Sequence, residues 1–320
     1  MSDFKGPLAQ QLSAFVDFKR ALGFKYTSEV VMLRRFDRWT QTQPGPHDTL
    51  TETIVQSWLR QGVLEGERTL SGRTSLIRQM GLYLNTIGQP AFIPEPSAGS
   101  RHYTFVPHIF TDHELRRIFE EADRVTAPRQ STLPVVLPIL LRVLYGCGLR
   151  VSEGLRLTME DIDWTVQTLT IRNSKFGKDR LVPMAPSLAI VVQTYVHHVH
   201  PDSPPSAWLF CHRDGSAISA DNVYRRFRDI QWYAGIPHHG KGQGPRVHDL
   251  RHSFAVHTMK AAIDRQVDIH AMLPILSTYL GHASVAATEQ YIRLTADAFP
   301  ELRRTLDVAT GWVIPEVAWE

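Results

Sequence analysis

Apolar residues recur at helical spacing through roughly the first ninety positions. Leu8, Leu12, Phe15, Val16 and Leu22 mark one amphipathic helix, and Val30, Leu33, Phe36 and Trp39 a second. Residues 51–59 predict a third. A fourth runs through Leu76, Met80, Tyr83 and Ile87, with Thr69 or Ser71 in place to cap it. Gly23, the run Pro44-Gly45-Pro46, and Gly88 punctuate the series. Helical periodicity then stops: Pro90, Pro94, Pro96, Ser97, Gly99 and Ser100 fall in one short stretch that reads as a linker.

A second helical region opens at Thr111-Asp112-His113-Glu114, the pattern of a capping box, before Leu115, Ile118 and Phe119. Within it the period switches from about 3.6 to 2. Residues 166–171 alternate with β-formers and 181–184 follow, joined by a turn-rich, basic tip at 172–180, so a β-hairpin is expected. Residues 208–211, before Asp214-Gly215, predict a third strand. The expected fold is mainly α with a small β-hairpin or three-stranded sheet, in two domains. The boundaries fall at a helical domain 1–92, a linker 93–107 and a larger domain 108–320. No internal repeat or low-complexity tract interrupts this order.

Composition narrows the class without deciding it. A hydrophobic share of 43% supplies ample core, and a net charge of +3 with pI near 8.9 is compatible with nucleic acid but does not establish it. Two cysteines, Cys147 and Cys211, give no disulfide framework and no cysteine-based zinc site. Histidines 197, 198, 200, 237 and 238 lack carboxylate or cysteine partners at metal-site spacing and read as solvated or DNA-facing. The N-terminus lacks the apolar core of a signal peptide, and the apolar run 133–141 is too short and too proline-rich to cross a membrane. A cytoplasmic location with no membrane partner is expected.

Three motifs carry chemistry: Gly148-Leu149-Arg150-Val151-Ser152-Glu153, His248-Asp249-Leu250-Arg251, and 280–291, which runs Leu280-Gly281-His282 and ends at Tyr291. Together they offer one nucleophilic hydroxyl, two guanidiniums and two imidazoles, a set suited to attack on a phosphodiester without a metal. Guanidiniums neutralise and orient non-bridging oxygens, a tyrosine can bond covalently to phosphorus, and imidazoles move protons or donate hydrogen bonds. Each residue taken alone has an ordinary reading. Arg150 would be an exposed arginine opening a helix with Glu153 as its partner. His248 and Arg251 would merely share a helix face at i and i+3. His282 would be a buried structural histidine, and Tyr291 a core aromatic like Tyr103, Tyr145, Tyr195 and Tyr279. Their order is what sets them apart.

That order, Arg, Lys, His-x-x-Arg, Gly-His and Tyr, resembles the tyrosine recombinases, the phage-integrase-type site-specific recombinases. The resemblance spans residues 111–302 through ordered motifs and 1–95 more loosely. It implies a two-domain architecture in which an N-terminal SAM-like core-binding domain and an α-rich catalytic domain clamp a DNA duplex. It casts Tyr291 as the nucleophile that forms a 3′-phosphotyrosyl link, and Arg150 and Arg251 as phosphate clamps. His248 and His282 become donors or proton carriers, and Glu153 a supporting residue. A lysine in the hairpin, Lys175 in preference to Lys178, becomes the general acid for the leaving 5′-oxygen. Lys178, Arg180 and Arg246 become DNA-facing. The link conserves bond energy, so neither ATP nor a metal cofactor is implied. Partners implied are a double-stranded recombination site and a homo- or hetero-tetramer on two duplexes, with Phe299, Leu302, Leu306 and the apolar tail 311–315 free to dock on a neighbour. Residues 254–279 are longer than the usual pattern, with 262–270 as extra material expected to form a surface insertion. This leans towards a mobile element. Two other functions stay open on the residues alone: a type IB topoisomerase, and a catalytically silent DNA-binding regulator of the same fold.

Overall fold

The structure, a computed structural model, describes residues 4–44, 48–60, 62, 65–96, 106–128, 131–173, 179–238, 240, 244–282 and 284–294. The chain divides into two compact units, Met1–Phe105 and Val106–Glu320. The fold is mainly helical with one small antiparallel sheet.

Among its described residues the first unit holds four helices: α1 (Ala9–Ala21), α2 (Thr27–Thr40), α3 (Glu52–Leu59) and α4 (Glu67–Thr86). Their apolar stripes meet in one core, with Leu8, Leu12, Phe15, Val16, Leu33 and Phe36 fully buried. Thr51 caps α3, its side chain accepting from the Ile54 amide. Three expectations fail. Ile87 falls just past the end of α4 and is exposed. Leu22 is exposed, because α1 ends at Ala21 and Gly23 turns the chain at φ 86°. Neither Thr69 nor Ser71 caps α4, which starts earlier at Glu67 behind Gly66, with no side-chain cap.

The second unit begins as its capping box foretells. Thr111 Oγ1 accepts from the Glu114 amide, Glu114 reaches back to the Thr111 amide, and α5 (Asp112–Asp123) follows with Leu115 and Ile118 buried. The apolar helix α6 (Leu133–Gly146) lies at the centre of this core and packs on α5 and α8 (Pro186–Val199). The remaining helices are α7 (Val151–Gly154), α9 (Ala220–Tyr233), α10 (Val247–Asp264), α11 (Ile269–Leu280) and α12 (Ala286–Leu294).

The sheet is β1 (Ile162–Asp163), β2 (Thr168–Ile171) and β3 (Arg180–Pro183) in that spatial order. The hairpin is present, with Leu169 opposite Val182. The third strand is not at 208–211. That segment makes single bridges to two different partners, Thr158 with Trp208 and Cys211 with Ala217, and so builds no ladder. Ile162–Asp163 pairs with β2 instead. Residues 262–270 form no separate insertion either. They are the last turn of α10, a tight turn with Gln266 at φ 59°, and the first turn of α11, where Asp268 accepts from the His270 amide. No described helix is long and apolar enough to cross a membrane.

Candidate active site

Two helix ends present the first residues of the site. Helix α6 stops in a Schellman turn: the Gly148 amide bonds Tyr145 O and the Leu149 amide bonds Leu144 O. Gly148 sits at φ 58°, and a Cβ there would lie 2.5 Å from the Phe254 ring, so only glycine fits. The turn delivers Arg150 to the start of α7. Helix α11 ends the same way, with the Gly281 amide on Thr278 O, the His282 amide on Ser277 O and Gly281 at φ 67°. This turn delivers His282.

The α11 C-terminus also leaves three carbonyls facing inward, each met by an arginine. Arg180 Nε donates to Tyr279 O at 2.8 Å, Arg251 Nη2 to Leu280 O at 2.6 Å, and Arg150 Nη2 to Gly281 O at 3.4 Å. Last-turn carbonyls have no helical partner and carry the negative end of the helix dipole, so cations belong there. Arg251 Nη1 further donates to Gly148 O at 2.8 Å, which ties the two helix ends together.

The same three arginines converge on Glu153, a carboxylate with 3% exposure. Arg150 Nη1 lies 2.6 Å from Oε1, Arg180 Nη2 lies 2.9 Å from Oε2, and Arg251 Nη1 approaches Oε2 at 3.7 Å. The Arg150 amide adds a bond to Oε2 at 2.9 Å. Burial alone would raise the Glu153 pKa. The hydrogen bonds and charges of Arg180 and Arg150 outweigh it and bring the carboxyl to about 2, so it is ionised at neutral pH. One carboxylate faces three guanidiniums, two positive charges more than it can neutralise. Arg251 is almost fully buried; burial and Arg150 lower its pKa to about 10, which still leaves it charged. Such an excess of positive charge suits an anion.

The imidazoles around it are neutral. His248, beside Arg251 on α10, is brought to about 4 by burial and by Arg251, Arg150 and Arg246. His282 falls to about 4 through burial, Arg251 and Arg150, and its Nδ1 lies 2.8 Å from the buried Thr288 Oγ1. Tyr291 is buried on α12, which packs on α10 and α11. Its ring stacks on His282 with centroids 6.1 Å apart and tilts against His252 at 5.6 Å.

Residues 108–297, more than half the chain, match the model of the phage integrase family. The chain belongs to the phage integrase family. It is a tyrosine recombinase. A putative integrase/recombinase, y4rB, of Sinorhizobium fredii is 28% identical over 96% of this chain and 98% of its own length. The tyrosine recombinase XerA of Pyrococcus furiosus is 32% identical over 61% of this chain and 60% of its own. Among solved structures, XerH site-specific recombinase bound to a palindromic difH substrate superposes with a TM-score of 0.61 at 19% identity, over 89% of this chain and 79% of that one. A lambda integrase dimer bound to a core site gives 0.59 at 15% identity, over 88% and 94%. At these identities the structural likeness speaks for the fold.

In this recombinase the described structure brings Arg150, Glu153, His248, Arg251, His282 and Tyr291 into one site. Lys175 and Lys178 lie outside the described residues, as do Phe299, Leu302, Leu306 and the tail 311–315. Arg180 does not face outward as the sequence suggested. It is turned inward, 8% exposed, onto Glu153 and Tyr279 O. Arg246 is half exposed at the start of α10, its amide bonded to Asp249. His200 is neither solvated nor DNA-facing: it is buried, with Nε2 on Leu209 O and Nδ1 on Ser203. Among the described residues no group of three or more His, Cys, Asp or Glu side chains is placed to hold a metal ion.

One residue went unseen in the sequence. His252 lies one turn beyond His248 on α10, rings edge-to-face at 4.7 Å, and its Nδ1 is 3.0 Å from the Tyr291 hydroxyl. The i, i+4 spacing from His248 was the available signal, since it puts both imidazoles on one face.

Proposed function

We propose that this recombinase cuts and rejoins double-stranded DNA at specific sites through a covalent link between Tyr291 and a 3′-phosphate, with neither metal nor nucleotide cofactor. The observation that carries the reading is the excess of buried guanidinium charge beside a tyrosine hydroxyl. Arg150 and Arg251 orient the scissile phosphate and stabilise the charge that builds on its non-bridging oxygens in the transition state. His248 and His282 donate further hydrogen bonds. Glu153 and Arg180 hold the clamps in place rather than touching the phosphate. The oxygen of Tyr291 bonds to phosphorus as the bond to the 5′-oxygen breaks. Lys175 supplies that oxygen's proton, and Lys178 is the alternate. A 5′-hydroxyl of a second duplex then attacks the phosphotyrosine, the strands rejoin, and Tyr291 recovers its proton.

Exchange between two duplexes needs four such sites, so the working form is a tetramer on two recombination sites. Relatives named integrase, recombinase and transposon integrase support a role in a mobile element. The division of labour between a DNA-clamping helical unit, 1–92, and a catalytic unit, 108–320, belongs to the same reading, as does action in the cytoplasm.

The test is joining. Two duplexes of different length, both carrying sequence that flanks the encoding gene, are incubated with the protein without added metal or nucleotide. Recombinant strands of hybrid length are expected. Relaxation of supercoils without hybrid strands points to a topoisomerase, and salt-dependent binding with neither product to a silent regulator.

A further inference from the structure

We propose that His252 is the proton acceptor for Tyr291: its Nδ1 lone pair takes the phenolic hydrogen as the tyrosine oxygen bonds to phosphorus. The proposal rests on the Tyr291 mechanism above and adds the group that activates the nucleophile.

Geometry carries it. A general base must lie within hydrogen-bond reach of the proton it removes, and Nδ1 of His252 is 3.0 Å from the Tyr291 oxygen. The hydroxyl is aimed, because His282 stacks on one side of the ring and His252 tilts against it. His252 is fixed in turn by the edge of His248 and by its place on a helix that also carries the fully buried Arg251. His282 is engaged otherwise, its Nδ1 at the Thr288 hydroxyl.

The charges facing His252 make its basicity depend on substrate. Burial, His248, Arg246 and Arg251 bring its pKa to about 3, so the ring is neutral, and the tautomer protonated on Nε2 turns the Nδ1 lone pair to the hydroxyl. Buried beside the guanidiniums of Arg246 and Arg251, the ring is a weak base. A phosphodiester seated on Arg251 brings a negative charge that offsets the guanidiniums, and imidazolium then becomes tolerable. Proton acceptance is thereby tied to a filled phosphate site, which keeps Tyr291 a phenol until DNA is present. The step balances: the tyrosine O–H bond breaks and N–H forms on His252, O–P forms, and the 5′-oxygen leaves with a proton from the general acid. On rejoining, the departing phenolate reclaims its hydrogen from His252.

The test is single-turnover cleavage of nicked suicide duplexes cut from DNA flanking the encoding gene, in ordinary form and with a bridging 5′-sulfur that needs no protonation to leave. His252→Ala, His252→Asn and Tyr291→Phe are compared with wild type, with DNA binding and thermal melts alongside. Asparagine places an amide oxygen near the Nδ1 position, so it can hold the hydroxyl but cannot take its proton; should the alanine variant not fold, it carries the comparison. Both His252 variants are expected to cleave about a hundredfold or more slowly at pH 7, on both substrates, with binding unchanged. Their rates should climb about tenfold per pH unit from 7 to 9 while wild type stays flat, because phenolate must then come from solution. Rates within threefold of wild type, or a deficit erased by the bridging sulfur, overturn the proposal. Wild type forming no adduct removes the Tyr291 mechanism itself; an adduct in wild type with equal rates in the variants removes only the role of His252.

Discussion

Replacing Glu153 with glutamine keeps the shape of the side chain and removes its charge from beneath three arginines. The cost can be worked from the site. A carboxyl held at about 2 instead of its ordinary 4.5 is stabilised in its charged form by about 3 kcal/mol at neutral pH. Removing one member of a buried ion pair costs about 3–5 kcal/mol by the same logic. For a unit of the size of Val106–Glu320 that lowers the melting temperature by about 6–20 °C. The sign with pH is fixed. The folded pKa lies below the unfolded one, so the stabilisation is present above about 4.5 and is lost as pH falls towards 2. Urea unfolding of wild type and Glu153→Gln from pH 7 down to pH 3 should therefore show a gap that narrows with acid. Inorganic phosphate should narrow it too at pH 7, since a second anion can serve the stranded guanidiniums. A difference below about 1 kcal/mol at pH 7, or one that widens with acid, would refute the ion-pair account.

Other outcomes follow from the same geometry. Gly148→Ala forces an alanine to φ 58° with its methyl against Phe254. It should cost about 2–4 kcal/mol, read by denaturant unfolding, and slow cleavage by shifting Arg150. Arg251→Lys loses the fork that spans Gly148 O and Leu280 O. Cleavage should fall on the order of a hundredfold or more, while affinity for duplex DNA, read by fluorescence anisotropy, changes far less. Acid should weaken the fold between about pH 6.5 and 3. His248, His252 and His282 stay neutral when folded and protonate when unfolded, so the unfolded chain binds more protons as pH drops and stability is lost on that side. A His248→Gln, His282→Gln double variant should flatten that slope in urea titrations.

How much of this was legible beforehand depends on whether the cause was local. The capping box at Thr111 and most of each helical stripe in the first unit are written in adjacent residues, and the structure forms them. The third strand failed because residues 208–211 have the composition of a strand but find a different partner at each end, which is a tertiary fact. Arg180 was legible and misread. In β3 Leu181 is exposed and Val182 buried, so the period of two puts Arg180 on the inner face with Val182. His252 illustrates the limit of an ordered motif. The motif named the residues it knew and passed over the neighbour one helical turn along, whose importance appears only when α12 brings Tyr291 to it. The convergence of three arginines on the end of α11 was invisible for a like reason, since it joins residues 150, 180 and 251 to carbonyls at 279–281.

The most direct measurement is a covalent trap. Nicked suicide duplexes drawn from DNA flanking the encoding gene are incubated with wild type and Tyr291→Phe, run on a denaturing gel, and the adduct is digested and mapped by mass spectrometry. Wild type should yield a protein–DNA adduct whose linked peptide contains Tyr291, and the phenylalanine variant should bind the same DNA and yield none. An adduct that persists in Tyr291→Phe, or that maps to another residue, would contradict the assignment of the nucleophile and the mechanism built on it.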